Sequence, residues 1–196
     1  MRLTAIESPR NPILRALYRL TQRQFGRTMT PFKVIFARLP WAIPGQLGIY
    51  VGLGKRLPLD PALQLLLQHH VARLNGCAFC DDIGRAMAVY QNLSPEKLDA
   101  TEHWRTSLLF TTAERAALAY VEEATQTKRA SDDTFAALRA HFDDRQIVAI
   151  TWINAVENYF NLLNGPLGIE SDGLCAIAEQ RTRRRTSGAV TAAGAA

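Results

Sequence analysis

Cys77 and Cys80 have the most chemistry to offer in this chain. They sit in the stretch His69-His70-Val71-Ala72-Arg73-Leu74-Asn75-Gly76-Cys77-Ala78-Phe79-Cys80, which holds two of the three cysteines and two of the four histidines. Cys-x-x-Cys puts two sulfurs one helical turn apart, close enough for a disulfide or for two ligands on one metal. Asn75-Gly76 reads as a helix stop, because Gly takes the left-handed conformation at little cost. Cys77 then lies at or next to the start of the following helix, where unpaired N–H groups and the helix dipole favour a thiolate. Asp81 and Asp82 act in the opposite direction. On this argument Cys77 is the more acidic and more exposed thiol. His69, on the helix leading into the cysteines, is a competent base near neutral pH. His70 faces elsewhere and reads as structural. Zinc is the competing chemistry. Cys77, Cys80 and one histidine give three ligands, but structural zinc takes four, often as two spaced pairs, and Cys175 sits apart in an apolar segment.

Two helices must position this pair. Asp60-Pro61 is a cap-and-proline start, followed by Leu63, Leu67, Val71 and Leu74 as a core stripe. Leu65 and His69 lie one turn apart on a neighbouring face. After the Asn-Gly break, Phe79, Ile83, Met87 and Tyr90 form the next stripe, with Cys80 and Gly84 beside each other as i and i+4. The two helices make an αα-hairpin with the cysteines at its bend. Upstream, residues 1–7 are expected to be loose. Ser8-Pro9 is read as the start of a helix that ends at Gly26. Pro31 to Leu39 is a short apolar run. Between Pro44 and Leu57 four glycines mix with Ile49, Tyr50, Val51 and Leu53, a pattern compatible with strand or helix. Downstream, Ser94-Pro95, the capping box Thr111–Glu114, Ser131 and Asp143–Gln146 each open a helix, and the last runs to the stop Asn164-Gly165-Pro166. Residues from 180 onward, basic and then Ala/Gly/Ser/Thr-rich, read as a disordered tail.

Leu-Asn-Gly-Cys-Ala-Phe-Cys at 74–80, set between two apolar helices, resembles the alkylhydroperoxidase D-like / carboxymuconolactone decarboxylase family. The likeness is specific over about 61–92 and looser out to about 165. It implies an all-α, oligomeric bundle of roughly eight helices, with an N-terminal helical segment (1–60), a family-like core (61–179) and the tail (180–196). It turns the strand-or-helix stretch after Pro44 into an expected helix. Family members with Cys-x-x-Cys act as thiol peroxidases or disulfide reductases in which the second cysteine meets the peroxide and the first resolves. That order gives Cys80 the peroxidatic role and Cys77 the resolving one. The family's Glu on the preceding helix and His one turn after the second cysteine fall at Leu65 and Gly84. The dithiol therefore carries over and the proton relay does not, leaving His69 as the candidate stand-in base. The expected activity is weak thiol-based peroxide or disulfide reduction, recharged by a separate electron-donor protein or thiol. The alternative is a non-catalytic scaffold or redox sensor of the same fold. A decarboxylase reading has no support, since nothing singles out a ring-lactone site.

The remaining features bound this reading. A length of 196 residues and 47 % apolar content suit one domain with tails. The net charge of +5 is concentrated in the N-terminal third and in Arg181, Arg183, Arg184 and Arg185, without aromatic interleaving, so no nucleic-acid partner is expected. No apolar run of about 18 residues and no signal peptide is found, so neither a membrane span nor secretion is expected, and the cytoplasm is the default. Three cysteines do not make a secreted disulfide framework. No cofactor or metal motif is recognised. One further stripe stands out. Thr151, Asn154, Asn158 and Asn161, with Glu157 beside them, mark an otherwise apolar helix. Buried amides need partners, so the stripe serves either a hydrogen-bond network between helices or subunits, or a polar lining of the dithiol pocket in which Glu157 supplies the missing carboxylate.

Overall fold

The helix α3 (Pro61–Leu74) is apolar around most of its circumference, so it has to be surrounded. In the computed structural model, which describes residues 1–52, 56–91 and 93–193, Leu63, Leu65, Leu66, Leu67, Val71 and Ala72 are all buried. Asp60 caps α3, its carboxylate accepting from the Ala62 N–H at 2.6 Å, and Pro61 occupies the first turn. The neighbours that cover α3 are α4 (Ala78–Gln91), α6 (Thr112–Thr127) and α8 (Asp144–Asn164). Around them run α1 (Pro12–Phe25), α2 (Ile43–Gly52), α5 (Pro95–Asp99), α7 (Asp132–Arg139) and α9 (Leu174–Ala193). Among the described residues there are nine α-helices and no strand, and none of these helices is long and apolar enough to cross a membrane.

Two apolar regions meet across α3 and α4. One unites Leu67 and Val71 with Leu118 and Val121 of α6 and Ile150 and Ile153 of α8. The other joins Leu14 and Leu17 of α1, the π-helical turn Phe32–Phe36, Phe79 and Ala86 of α4, and Leu174 and Ala178 of α9. The capping signals at Ser94, Thr111, Ser131 and Asp143 each open the helix expected of them, the second and fourth as full capping boxes. The ambiguous stretch after Pro44 is helical through Gly52, while Leu53 lies outside the described residues.

Three sequence expectations are corrected. The first helix begins at Pro12, not Pro9. Asn11 outcompetes Ser8 because its Oδ1 accepts from both Ile13 N–H (2.9 Å) and Leu14 N–H (3.3 Å). Residues 1–7 are tied down: Arg2 N–H donates to the Leu167 carbonyl and Ile6 N–H to that of Lys33, while the Tyr18 hydroxyl donates to the Ile6 carbonyl. The stretch expected as a disordered tail is helical as α9 through Ala193, in keeping with its many Ala and Arg. Residues 194–196 lie outside the described residues. Arg181 of α9 donates to the carbonyls of Arg23 and Gln24, so it covers the C-terminal end of α1. Gly26 is required at that contact, since its φ is 80° and a Cβ would lie 2.9 Å from Ile177.

Asp82 joins α4 to the start of α9. Its buried carboxylate accepts from the backbone N–H groups of Asp172 (3.1 Å), Leu174 (2.9 Å) and Cys175 (2.9 Å). Hydrogen bonds to a charged acceptor are each worth roughly 1.5–3 kcal/mol, and removing this carboxylate strands three backbone donors, two of them buried. Asp82→Ala is expected to lower unfolding stability by about 3 kcal/mol or more, read from the urea midpoint, with Asp82→Asn intermediate. An unchanged midpoint in Asp82→Ala would show that the latch is dispensable.

Candidate functional site

The bend between α3 and α4 puts the two sulfurs together. Asn75 ends α3, Gly76 turns with φ 62°, and Cys77 N–H reaches back to the Ala72 carbonyl at 2.9 Å. Cys77 then occupies the capping position of α4. Its carbonyl accepts from Asp81 N–H, and its Sγ accepts from Cys80 N–H at 3.3 Å. The Cys77 and Cys80 sulfurs are at disulfide-bonding distance, with Cα atoms 5.3 Å apart. Cys175 is a free thiol on α9. The expectation that Cys77 is the exposed thiol is corrected: Cys77 is 3 % exposed and Cys80 6 %. What separates them is a cavity of about 810 Å³, which Cys80 lines and Cys77 does not.

That cavity is walled by α1, α3, α4 and α8. Leu17, Leu20 and Phe25 come from α1, Phe79, Ile83 and Met87 from α4, and Phe160 from α8. Leu65 and Gly84, the positions where the family pattern has Glu and His, both line it. The room beside Gly84 is taken by His69: a Cβ at 84 would stand 3.6 Å from His69 Nδ1. His69 is fully buried. Its Nδ1 is 3.4 Å from Asp81 Oδ1, but no hydrogen bond closes between them, and neither ring nitrogen has another partner. Burial lowers its pKa to about 4, against the pull of Asp81 and with help from Arg85 and Arg73. The imidazole is therefore neutral at physiological pH and a weak base. His70 faces away as expected, its Nε2 3.2 Å from a Glu122 carboxylate that also accepts from Trp104 and Arg105.

The polar stripe of α8 divides into two functions. At its near end Thr151 pairs with the Tyr120 hydroxyl at 2.8 Å, and Asn154 accepts from Thr125 at 2.7 Å, which fastens α8 to α6. At its far end the stripe reaches the cavity. Glu157 lines it with its side chain buried, and Oε1 accepts from Asn161 Nδ2 at 2.7 Å. Asn161 Oδ1 in turn accepts from Asn75 at the bend, at 2.8 Å. Burial drives the Glu157 carboxyl up to about 7, only partly offset by the Asn161 hydrogen bond. Asn164, which reads from sequence only as part of a helix stop, also lines the cavity and donates from Nδ2 to Cys80 Sγ at 3.5 Å. Its Oδ1 is buried without a partner. The signal was present: 157, 161 and 164 follow the i, i+4, i+7 spacing of one helix face. The contribution of α1 to the cavity had no such signal.

Two buried groups with displaced titrations oppose each other in stability. Glu157 titrates near 7 when folded and near 4.5 when unfolded, so the folded state binds the extra proton between those values and loses stability as pH rises through them. His69, lowered from 6.5 to about 4, makes the folded state lose stability as pH falls through that window. The Glu157 effect amounts to about 3 kcal/mol once pH exceeds 7. Glu157→Gln keeps the acceptor for Asn161, so it is expected to match wild type near pH 4.5 and exceed it by about that amount at pH 8. Urea midpoints at the two pH values measure it, and a pH-independent difference would contradict the assignment.

The comparisons with known proteins agree with this geometry. The model of the Carboxymuconolactone decarboxylase family matches residues 51–123, across α3, the bend, α4 and most of α6. The uncharacterized protein YnjA of Escherichia coli K12 is 34 % identical over 173 residues, covering 87 % of this chain and 94 % of YnjA. A solved structure from Agrobacterium tumefaciens, of a protein of unknown function provisionally assigned as the antioxidant defence protein AhpD, is 28 % identical. It covers 70 % of this chain and 96 % of its own, with a TM-score of 0.66. The debrominase Bmp8 shares the fold at a TM-score of 0.73 and 18 % identity, over 86 % of this chain and 91 % of its own. The Cys-x-x-Cys bend, the helices that hold it and a relative matched over nearly its whole length together show that the chain belongs to the carboxymuconolactone decarboxylase family, among its alkylhydroperoxidase D-like members.

Proposed function

We propose that this protein is a thiol-dependent oxidoreductase that reduces peroxides or disulfides with Cys77 and Cys80. The observation that carries the reading is that the two sulfurs are within bonding distance and only Cys80 borders the apolar cavity. A substrate in that cavity meets Cys80, which becomes the peroxidatic sulfur, and Cys77 resolves. In the reaction with a hydroperoxide, the Cys80 sulfur takes the distal oxygen, the O–O bond breaks and an alcohol leaves. Cys77 then displaces water from the sulfenic acid to give the disulfide. Two electrons move from the dithiol to the peroxide, and a dithiol or thiol donor returns them. The apolar walls favour an organic hydroperoxide over hydrogen peroxide. Neutral His69 beside Gly84 contributes a polar edge to the cavity and no strong base. A cytoplasmic setting supplies the reductant that such a cycle needs. The second reading, a redox sensor or scaffold of the same fold, is favoured by one observation: Leu65 and Gly84 stand where the family relay would be.

Assembly belongs to this proposal. Val148, Trp152, Ala155, Tyr159 and Leu162 are exposed on α8 at alternating four- and three-residue steps, with Leu162 72 % and Val148 68 % exposed. That spacing is a helix-pairing seam, and a second copy of the chain is its proposed occupant.

Two measurements test these statements. Free-thiol counts on reduced native protein should fall by two on addition of one equivalent of cumene hydroperoxide and recover with dithiothreitol. Retention of both thiols by folded protein would remove the oxidoreductase reading. Light scattering should give a mass well above 21.8 kDa, with Val148→Glu/Leu162→Glu shifted toward the monomer. A wild-type monomer at micromolar concentration would remove the assembly.

A further inference from the structure

We propose that Glu157 of α8 is the acid–base group of the Cys80 reaction, with the proton-handling carboxyl on α8 where α3 presents Leu65. The inference rests on the thiol-reductase reading and specifies how its protons travel. Glu157 and Cys80 line the same cavity from different helices. Glu157 is held by Asn161, which is itself held by Asn75 at the bend, so the carboxyl and the dithiol are referred to one anchor. On the same face of α8, Asn164 donates to the Cys80 sulfur and keeps a buried, unpartnered oxygen. Sulfur, carboxyl and an unfilled acceptor therefore border a single cavity.

The electrostatics are suited to shuttling. Among the described lining residues, α3 contributes His69 as a titratable group, α4 contributes Cys80 and α8 contributes Glu157. The described lining residues of α1 and α2 carry no charge, and no lysine or arginine is among the described residues that line the cavity. His69, neutral, offers no counter-charge. With only the Asn161 hydrogen bond to favour its ionised form, Glu157 titrates near 7 and is available as both base and acid at working pH.

The step balances as follows. The Glu157 carboxylate takes the Cys80 thiol proton. The sulfur attacks the distal oxygen of the hydroperoxide and the O–O bond breaks. The departing alkoxide takes the proton from Glu157 and leaves as an alcohol, which leaves Cys80 as the sulfenic acid and Glu157 as a carboxylate. Asn164 Nδ2 stabilises the thiolate before attack.

The test compares reduced wild type, Glu157→Gln and Glu157→Asp, each confirmed folded by circular dichroism. Disulfide formation is timed from pH 5 to 9 with two neutral oxidants, cumene hydroperoxide and 2,2′-dithiodipyridine. The alkoxide leaving the first needs a proton as it departs, whereas the delocalised pyridine-2-thiolate leaving the second departs without one and is protonated by solvent. Glu157→Gln should slow the hydroperoxide reaction by roughly 10²–10⁴-fold, abolish the inflection near pH 7 and slow the dithiodipyridine reaction much less. Glu157→Asp should retain part of the inflection. Equal losses with both oxidants, or no loss with the hydroperoxide, would overturn the assignment of Glu157 while leaving the dithiol reading standing. Wild type that forms no disulfide with either oxidant would overturn both.

Discussion

The structure depends on how the chain turns at Asn75-Gly76. Gly76 has the left-handed φ of 62° that lets Cys77 reach back to the Ala72 carbonyl and still start α4. The same turn projects the Asn75 amide onto α8, where it donates to both Asn158 and Asn161. One dipeptide thus closes α3, opens α4 and fixes the α8 register against both. The sulfur pair, the cavity wall and the Glu157 carboxyl inherit their positions from it. An apolar helix packed all round, as α3 is, supplies the rigidity behind the turn.

Facing positions on α3 and α4 set the chemistry of the cavity wall. Gly84 leaves space on α4 that the His69 ring enters from α3. Leu65 keeps the opposite position apolar. Apart from Cys80, the titratable lining groups of those two helices are reduced to a neutral imidazole, and among the described lining residues acid–base chemistry has one carboxyl to draw on, that of Glu157. Burial, not a charged neighbour, sets the properties of both His69 and Glu157. The same low-dielectric environment drives one titration down and the other up.

Much of this was legible in the sequence where the signal is local. The caps at Asp60, Thr111 and Asp143, the Asn-Gly stop and the Cys-x-x-Cys spacing each specify a few residues of backbone, and the structure follows them. The α8 amide stripe was visible as a stripe, but its division between a fastening to α6 and a cavity lining depends on which helices lie across from it, which spacing does not encode. The burial of Cys77 is likewise set by what packs across from it. A helix start is solvent-facing by default, and here the second apolar region, with α1 and α9, covers it. The start of α1 turned on competition between two cap-and-proline pairs only three residues apart, and the continuation of α9 through Ala193 on helix propensity in a segment whose composition suggested disorder.

The described residues that line the cavity include no cation, which bears on what enters. An ionised carboxylate leaving water for an apolar cavity loses several kcal/mol of hydration unless a positive group receives it. None of the described lining residues does, and Glu157 adds repulsion once it is itself ionised. The cavity therefore sorts molecules by ionisation state before it sorts them by shape. An ionised acid is disfavoured there relative to its uncharged ester of nearly the same length and bulk, and the difference grows as pH rises past the titration of Glu157.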